Sequence, residues 1–295
     1  MAEKLTVIIP CKNEEKHIVA CIESVRPVAD EIIVADSGST DRTLELVRRM
    51  GDCRIIEREY RFSGDFKNWA IPHASCPWVL IVDADERVTD RLAASIQKAL
   101  ADDSSKYHAY WTSFDCYFLG RHLKHSGWNT DAIRLFRSEY RYGGRLVHDD
   151  INIDPALVGK LKGNFIHYSI TSYDQYFEKY LRYTAWGAEI LQKKGRRASF
   201  VSLFFRPVFR FLHLYLIRGG ILDGLPGLQV CMLTAFFNTF VKQARLWELN
   251  QKDKLSTENA TNAENDKDDN EELIPFRASS TSSSEGSSDR WKASA

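Results

Sequence analysis

The sequence predicts an α/β fold in which a doubly wound, mainly parallel β-sheet is followed by a helical region. Two observations support this prediction. Through the first hundred residues, short apolar segments typical of buried strands alternate with segments of helical periodicity. Beyond residue 173, the pattern becomes helical and rich in aromatic residues. Because parallel strands are joined by crossovers that are normally helices, the alternation favours βαβ units.

Strands and helices are predicted in turn along the first part of the chain. The helix after the first strand carries Ile18, Ile22 and Val25 on one face and ends before Pro27. Gly51 is expected to end the second helix, because glycine readily adopts the left-handed conformation at a helix C-terminus. The predicted strands lie at residues 5–10, 31–35, 54–57, 78–82, 107–119 and 132–136.

The chain is predicted to contain three regions, at residues 1–170, 171–249 and 250–295. The first is the sheet domain, and the last is a disordered tail rich in Ser, Asn, Asp and Glu. In the middle region, aromatic and aliphatic residues are interspersed with arginines and lysines, as in helices that lie in a membrane interface. An ordinary helical subdomain packed on the sheet is the alternative. A clean transmembrane span is not expected, because the longest uncharged stretch contains Pro226, Gln229 and Asn238.

The composition limits the classes of binding partner and the cellular compartment that can be expected for the protein. Forty basic and forty acidic residues leave a formal net charge of zero, so no nucleic-acid partner is expected. Six scattered cysteines without a CxxC pair fit a reduced compartment better than disulfides or a zinc site. The N-terminus runs into the first strand without a signal-peptide pattern, which predicts a cytoplasmic protein. With the interfacial helices, we expect it to be peripheral at the inner face of the plasma membrane.

Two aspartates follow the strongest predicted strand, which is the apolar run from Trp78 to Val82. Asp83 and Asp85 therefore emerge at the carboxyl end of a buried strand, where open α/β sheets bind ligands. Two carboxylates one residue apart can hold a hard divalent cation, and a diphosphate is the natural ligand of such a cation. The alternative is a solvated strand-to-helix turn with a capping aspartate.

Three other polar clusters are also expected at the carboxyl ends of predicted parallel strands. They begin at Cys11, Asp36 and Lys67. Because the carboxyl ends of parallel strands meet at one edge of a sheet, we expect all of these clusters to line one crevice. For Lys67, the alternative is an ordinary surface lysine.

These ordered motifs resemble the inverting family 2 glycosyltransferases of the GT-A fold. The resemblance depends on Val7–Pro10 with Asn13 and Glu14, on Val34–Asp41 and on Asp83–Asp85. Within the family, the chain is similar to the branch that adds glucose to the inner core of lipopolysaccharide. The motifs that narrow the resemblance are KNWA at 67–70, DERV at 85–88, HSGW at 125–128, RLFR at 134–137, VHD at 147–149 and GGILDGLPG at 219–227.

The resemblance implies roles for individual residues. It places a nucleotide sugar against Asp36 and Glu14, with Lys67 near the diphosphate. It implies that Asp83 contacts ribose or metal and that Asp85 ligates Mg²⁺ or Mn²⁺. His148 is a further candidate for a metal or phosphate contact, and a hydrogen-bonding spacer is the alternative. The full set of implied nucleotide-sugar-binding residues is Pro10, Asn13, Glu14, Asp36, Ser37, Lys67 and Asp83.

Inversion in a single displacement requires a base within hydrogen-bond reach of the acceptor hydroxyl. Asp149 is the first candidate for this base, and Asp131 is the second. A cation and a lysine would stabilise the charge that develops on the leaving nucleoside diphosphate.

The sequence thus predicts transfer of a hexose, expected to be glucose from UDP-glucose, to a lipid-linked saccharide such as lipopolysaccharide core. The expected partners are this donor, this acceptor and an anionic membrane surface. A polyprenyl phosphate is the alternative acceptor, and being already anionic it would not need Asp149 as a base. A catalytically inactive sugar-nucleotide-binding scaffold is the alternative from another class of protein.

Overall fold

The computed structural model describes residues 2–102, 104–144 and 150–271 of the 295-residue chain, with side chains described as far as residue 259. Within these residues, nine strands form one sheet in the order β3-β2-β1-β4-β8-β6-β9-β5, and β7 pairs with β6. The strands are β1 Leu5–Cys11, β2 Glu31–Asp36, β3 Arg54–Glu57, β4 Trp78–Ile81, β5 Glu86–Val88, β6 Ala109–Phe118, β7 Arg121–Leu123, β8 Ala132–Arg137 and β9 Val158–Ile170.

The sheet has a parallel half and a mixed half. Strands β3, β2, β1 and β4 run parallel to one another. Strand β8 is antiparallel to β4 and to β6, whereas β9 is parallel to β6 and antiparallel to β5. The predicted parallel βαβ arrangement is confirmed for the first half, and the second half is mixed.

Helices cover both faces of the parallel half, as a doubly wound sheet requires. Val7 and Ile9 of β1 face one apolar cluster, whereas Ile8 faces another, because successive side chains of a strand point to opposite faces. The first cluster receives α1, α2 and α4, and the second receives α3. The helices are α1 Ile18–Val25, α2 Thr43–Met50, α3 Ser63–Ala70, α4 Asp90–Leu100, α5 Tyr173–Lys193, α6 Phe200–Leu212, α7 Gly224–Met232 and α8 Phe240–Glu271.

Local signals in the sequence set several of these boundaries. Gly51 caps α2 with φ of 79°, in the left-handed conformation that was predicted for it. The side chain of Thr89 accepts a hydrogen bond from the N–H of Leu92 and so caps α4. Ser172 caps α5 in the same way through the N–H of Gln175.

The described residues divide after Asn250, and residues 2–250 form one compact unit. The predicted boundary at residue 170 coincides with the end of β9, but the helices that follow belong to the same unit as the sheet. They pack on its end through an apolar cluster that joins Phe118 and Ile170 to Tyr176 and Val230.

A close backbone approach organises the segment before and within α7. A Cβ atom placed on Gly227 would lie 2.0 Å from the carbonyl oxygen of Gly220, and one on Gly220 would lie 2.6 Å from Sγ of Cys231. Both positions therefore need glycine, which accounts for two of the glycines in the GGILDGLPG motif.

Residues 251–271 correct the prediction of a disordered tail from residue 250 onward, because they form the continuation of α8. Leu255 and the glutamate and lysines around it are good helix formers. The hydroxyls of Ser256 and Thr257 accordingly donate to the carbonyls of Lys252 and Asp253, four residues earlier. The remaining residues of the predicted tail, from 272 onward, lie outside the described part of the chain.

The helices after residue 200 expose much apolar surface. Phe200, Phe209 and Ile217 are 76%, 73% and 76% exposed. Two segments, Phe200–Ile217 and Gly220–Asn259, are long and apolar enough to cross a membrane, and only 17% and 28% of their apolar windows are buried. A core helix of a soluble protein would be mostly buried, so this surface is unusual for a soluble chain.

Candidate active site

A cleft of about 770 Å³ opens at the carboxyl edge of the parallel strands. Pro10 and Cys11 from the end of β1, Ser37 after β2, and Asp83 and Asp85 after β4 line its first wall. The register of the sheet explains this convergence, because Cys11 lies beside Asp36 and β4 pairs with β1 on the other side. The crevice expected from the sequence is therefore present.

Side-chain hydrogen bonds join the loops after β1 and β2. The N–H of Asn13 donates to Oγ of Ser39 at 2.9 Å, and Oδ1 of Asn13 accepts from the N–H of Thr40 at 2.7 Å. Asn13 has φ of 56°, a conformation that asparagine tolerates better than most residues. The N–H of Glu14 donates to the hydroxyl of Thr43 at 2.8 Å. These contacts fix Glu14 at the rim of the cleft.

Asp36 is completely buried and acts within its own loop. Its Oδ2 atom accepts from the N–H groups of Gly38 and Ser39, both at 2.9 Å. Its Oδ1 atom accepts from the Ser39 hydroxyl and from the thiol of Cys11. In this arrangement the carboxylate shapes the loop that presents Ser37 to the cleft, and it does not itself line the cleft.

Asp83 is held between two cations. Its Oδ1 atom lies 3.2 Å from Nζ of Lys67, and its Oδ2 atom lies 2.9 Å from Nη2 of Arg134. The same Arg134 atom lies 2.6 Å from the carboxylate of Glu86, which is fully buried. Although burial alone raises the pKa of Asp83, Arg134 and Lys67 hold that pKa well below its ordinary value. Lys67 is 8% exposed, so it is not a surface lysine.

Asp85 faces a histidine from β9. Its Oδ2 atom lies 3.3 Å from Nε2 of His167, and both side chains line the cleft. The backbone fixes this geometry, because Glu86 pairs with His167 between β5 and β9 and the carbonyl of Asp85 accepts from the N–H of Tyr168 at 3.0 Å. Burial lowers the pKa of His167, but Asp85, with smaller effects of Cys116 and Glu86, outweighs burial and raises that pKa well above its ordinary value.

Glu14 completes the acidic part of the cleft. Burial raises the pKa of its carboxyl to about 7, and the nearby charge of Asp85 adds to this shift. The positive charge of Lys179 on α5 lowers the same pKa, so this lysine lies within electrostatic range of Glu14. The centre of the cleft therefore contains carboxyl groups from two loops within electrostatic range of each other.

The helices form the second wall of the cleft. Lys179, Tyr180 and Arg182 of α5 and Arg210 of α6 line it. Trp128, which also lines the cleft, donates from Nε1 to the hydroxyl of Thr234 at 3.4 Å. The cleft is therefore shared between the sheet and the helices that follow it.

Asp223, in the GGILDGLPG motif, holds the HSGW loop against the helices. Its carboxylate accepts hydrogen bonds from the N–H groups of Lys124, His125 and Ser126, each at 2.9 Å at the shortest. These bonds join the two motifs, since the GGILDGLPG motif supplies the acceptor for the backbone of residues 124–126. They also position Trp128 at the cleft.

Most of the residues predicted to bind the donor or its metal come together in the cleft: Pro10, Glu14, Ser37, Lys67, Asp83 and Asp85. Asn13 and Asp36 do not line the cleft, but their hydrogen bonds hold the loops that border it. Asp131 does not reach it. Its carboxylate is exposed and engaged by Lys160 at 2.6 Å and by the Ser113 hydroxyl at 2.7 Å. These bonds lower the pKa of Asp131 against the opposing effect of burial. His148 and Asp149 lie outside the described residues.

Sequence reasoning did not assign four residues that the structure brings to the cleft: Glu86, Arg134, His167 and Lys179. Glu86 and Arg134 stood within quoted motifs, and their burial as an ion pair was the missing information. His167 belongs to β9, which was not predicted as a strand. Lys179 lies on a predicted helix whose cleft-facing side only the packing reveals.

The profile described as "Glycosyl transferase family 2" matches residues 6–160, more than half of the chain. The chain belongs to this family. Membership and the sheet topology together confirm the predicted GT-A fold class and glycosyltransferase activity.

Curated relatives extend the similarity beyond the family profile. An uncharacterized glycosyltransferase of Rickettsia typhi is 29% identical over 263 residues, which cover 85% of this chain and 89% of the relative. The lipopolysaccharide core biosynthesis glycosyltransferase LpsC of Rhizobium meliloti is 28% identical over 256 residues, covering 83% and 92%. Alignments of this length include part of the helical wall as well as the sheet.

Solved structures match a smaller part. Glucosyl-3-phosphoglycerate synthase of Mycobacterium tuberculosis, in complex with Mn²⁺, UDP-glucose and glycerol 3-phosphate, is 24% identical with a TM-score of 0.32. The match covers 40% of this chain and 46% of the synthase. A mannosyltransferase of Pyrobaculum calidifontis with GDP-mannose and Mn²⁺ is 29% identical with a TM-score of 0.31, covering 40% and 36%. This chain thus matches less than half the length of either structure.

Proposed function

We propose that the protein is a metal-dependent inverting glycosyltransferase that moves a hexose from a nucleoside diphosphate sugar to a lipid-linked saccharide. The observation that carries this proposal is the cleft in which Asp83 and Asp85 lie among Lys67, Arg134 and His167, at the carboxyl edge of the sheet. Membership in the glycosyltransferase family supports it.

The donor set of the cleft fits Mg²⁺ or Mn²⁺. Asp85 offers carboxylate oxygens and His167 an imidazole nitrogen, and both ligand types suit Mn²⁺. Among the described residues, no group of three or more acidic, histidine or cysteine side chains converges for a metal. This limited set suits an ion that completes its coordination with substrate phosphates and water. A bound ion would neutralise charge on the leaving diphosphate.

Asp83 is better suited to positioning than to ligation. Both of its oxygens already accept from Lys67 and Arg134, so a metal would have to displace one of these cations. We infer that Asp83 orients them toward the nucleotide sugar. Lys67 and Arg134 then supply fixed positive charge where the diphosphate departs.

Asp149 is retained as the proposed base for the acceptor hydroxyl. The engagement of Asp131 by Lys160 disfavours the other candidate, because its carboxylate is already paired outside the cleft. Asp149→Asn should abolish transfer to a neutral hydroxyl. Transfer to a polyprenyl phosphate would survive the same substitution, so retention of activity there would favour the alternative acceptor.

We infer that the acceptor is presented at a membrane. The exposed side chains of α6, which include Phe204, Phe205 and Phe209, are interspersed with Arg206 and Arg210. This combination fits insertion into the interface of an anionic bilayer. The similarity to LpsC favours lipopolysaccharide core as the acceptor, with the protein at the inner face of the plasma membrane.

The proposed activity can be tested by mass spectrometry. Purified full-length protein should transfer one hexose from UDP-glucose to truncated lipopolysaccharide core in the presence of Mn²⁺, and chelation should stop the reaction. UDP should also raise the thermal unfolding midpoint in a metal-dependent way. If no nucleoside diphosphate stabilised the protein with metal, the proposed donor site would be wrong. Transfer to a different acceptor alone would reject the lipopolysaccharide assignment.

Membrane association needs a separate test. Phe205→Ser with Phe209→Ser should strongly reduce co-sedimentation with phosphatidylglycerol vesicles, because both rings are more than half exposed. Val19→Ser is the matched control, since Val19 is 38% exposed on α1. Equal loss in the control would contradict the assignment of α6 as the membrane-binding surface.

A further inference from the structure

Three cations on the helical wall of the cleft lack a hydrogen-bonded anionic partner among the described residues. Lys179 and Arg182 of α5 and Arg210 of α6 line the cleft. Within the described ranges, none of the three forms an ion pair or donates a side-chain hydrogen bond. Arg182 lies over the ring of Trp186, at 5.8 Å from its centroid, and that contact leaves its charge uncompensated.

The opposite wall is arranged differently. Asp83 is paired with Lys67 and Arg134, Glu86 with Arg134, and Asp85 with His167. The cations there are used to balance carboxylates. The charged side chains of the helical wall are all positive, and a wall that is lined by charge of one sign attracts a ligand of the other sign.

Lys179 is the centre of this wall. Its side chain is half-buried, and its charge is within electrostatic range of Asp85. Burial lowers the pKa of Lys179, but Asp85 and the other neighbouring groups together raise it above its ordinary value, so the ammonium group stays charged. A charged, partly desolvated lysine without a hydrogen-bond acceptor is suited to bind an anionic group of a ligand.

The position of the wall points to the acceptor and not to the donor. Its residues lie beyond residue 160, where the match to the family profile ends. Arg210 follows Phe209, which is 73% exposed, so the cleft wall continues directly into the apolar surface of α6. A saccharide anchored in a membrane at α6 would pass these cations on its way to Asp85.

We propose that Lys179, Arg182 and Arg210 form a subsite for an acidic group, a phosphate or a carboxylate, on the acceptor saccharide. This inference rests on the proposed function and adds a chemical class to its acceptor. The subsite binds the acid and so orients the acceptor hydroxyl toward the donor sugar. A neutral saccharide lacks the group that the three cations recognise.

The test measures binding of small sugars to full-length protein saturated with UDP and Mn²⁺. Glucose 6-phosphate and glucuronate represent the two acids, and glucose is the neutral comparison, all at matched ionic strength. We expect at least one acid to bind at least about tenfold more tightly than glucose, since a charge-assisted hydrogen bond is worth roughly 1.5 kcal/mol or more. Tighter binding of glucose 6-phosphate would identify the acid as a phosphate, and tighter binding of glucuronate would identify it as a carboxylate.

Substitutions of the cations show which residues bind the acidic sugar. Lys179→Met and Arg210→Met should each weaken binding of the acidic sugar about tenfold, while the dissociation constant of UDP stays within about twofold. Lys179→Arg should retain most of the affinity. Lys193→Met is the matched control, because Lys193 is an exposed lysine in the last turn of α5 and does not line the cleft.

Several results would overturn this subsite. UDP binding that weakens as much as sugar binding in Lys179→Met would assign the cations to the donor diphosphate. If Lys179→Met and Arg210→Met lost binding to phosphatidylglycerol vesicles but kept binding of the acidic sugar, the cations would be assigned to lipid headgroups. Sugar acids that bind no better than glucose would also reject it. Absence of UDP binding would instead count against the proposed function, and the sugar arms could still be measured without nucleotide.

Discussion

The carboxylate of Asp85 and the imidazole of His167 lie 3.3 Å apart, although 81 residues separate them in the chain. Pairing between β5 and β9 produces this proximity, because His167 lies opposite Glu86, the neighbour of Asp85. The pair brings an oxygen and a nitrogen ligand to the cleft.

Asp85→Asn should remove the metal-dependent stabilisation by UDP and lower turnover at least about a hundredfold, as for loss of a group that stabilises developing charge. His167→Ala should weaken Mn²⁺ binding about tenfold or more. Isothermal titration with Mn²⁺ in the presence of UDP measures the metal affinity of both variants. Asp52→Asn, at an exposed ion pair with Arg26, is the control and should bind as wild type. Unchanged Mn²⁺ affinity in both cleft variants would exclude this pair as the metal site.

Arg134 should be important for stability. Arg134→Met leaves Asp83 and Glu86 without their shared cation, and loss of one partner of a buried pair costs about 3 to 5 kcal/mol. Arg137→Met, on the same strand, breaks only a half-exposed pair with Glu3 and a contact over Trp78, and should cost about 1 kcal/mol. Urea unfolding of both variants gives the two values. Similar costs for the two substitutions would show that Arg134 is not a buried electrostatic centre.

Glu14 should make stability depend on pH in the metal-free protein. Its pKa is raised to about 7, so the folded state holds a proton that the unfolded state has released between about pH 4.5 and 7. Its contribution to stability is complete below pH 4.5 and is lost as the pH rises through 7. Glu14→Gln should therefore increase the free energy of unfolding by about 1 kcal/mol at pH 8, after allowance for solvent screening, and by much less at pH 5.

Chemical denaturation at the two pH values tests the effect of Glu14. Glu178→Gln, an exposed substitution on α5, is the control and should change stability by less than about 0.5 kcal/mol at either pH. A stabilisation by Glu14→Gln that is larger at pH 5 than at pH 8 would reverse the sign of the proposed shift.

Gly227→Ala should destabilise the helical wall. The added methyl group would overlap the carbonyl oxygen of Gly220 and force a backbone shift that costs about 2 kcal/mol or more. Gly187→Ala is the matched control in α5, because its methyl group would meet only the side chain of Lys242 and no backbone atom of another element. That variant should be neutral or slightly stabilised, since alanine is a better helix former. Thermal unfolding distinguishes the two, and a tolerated Gly227→Ala would show that this backbone contact can relax.

The sequence predicted the parallel half of the sheet closely, and with it the first wall of the cleft. Apolar runs such as Trp78 to Ile81 identify buried strands on their own, and the residues that follow them must lie at the carboxyl edge. Lys67 and Asp83 could therefore be assigned to the site before their contact was seen.

The second half of the sheet was harder to predict because its pattern is weak. Lysines, glycines and an asparagine interrupt the apolar residues of β9, so its thirteen residues do not read as a buried strand. His167 was missed for this reason. Lys179 was missed for another: helical periodicity identifies α5, but only packing against Phe118 and Ile170 decides which side of the helix borders the cleft.

The three hydrogen bonds from the backbone of residues 124–126 to Asp223 have a consequence for protein engineering. A chimera that exchanges the C-terminal helices between relatives must carry its own version of that loop, or the acceptor side would lose a wall while the donor side stayed intact. The loop and the helices should therefore be exchanged as one unit, and we expect acceptor selectivity to be transferred to the chimera with them.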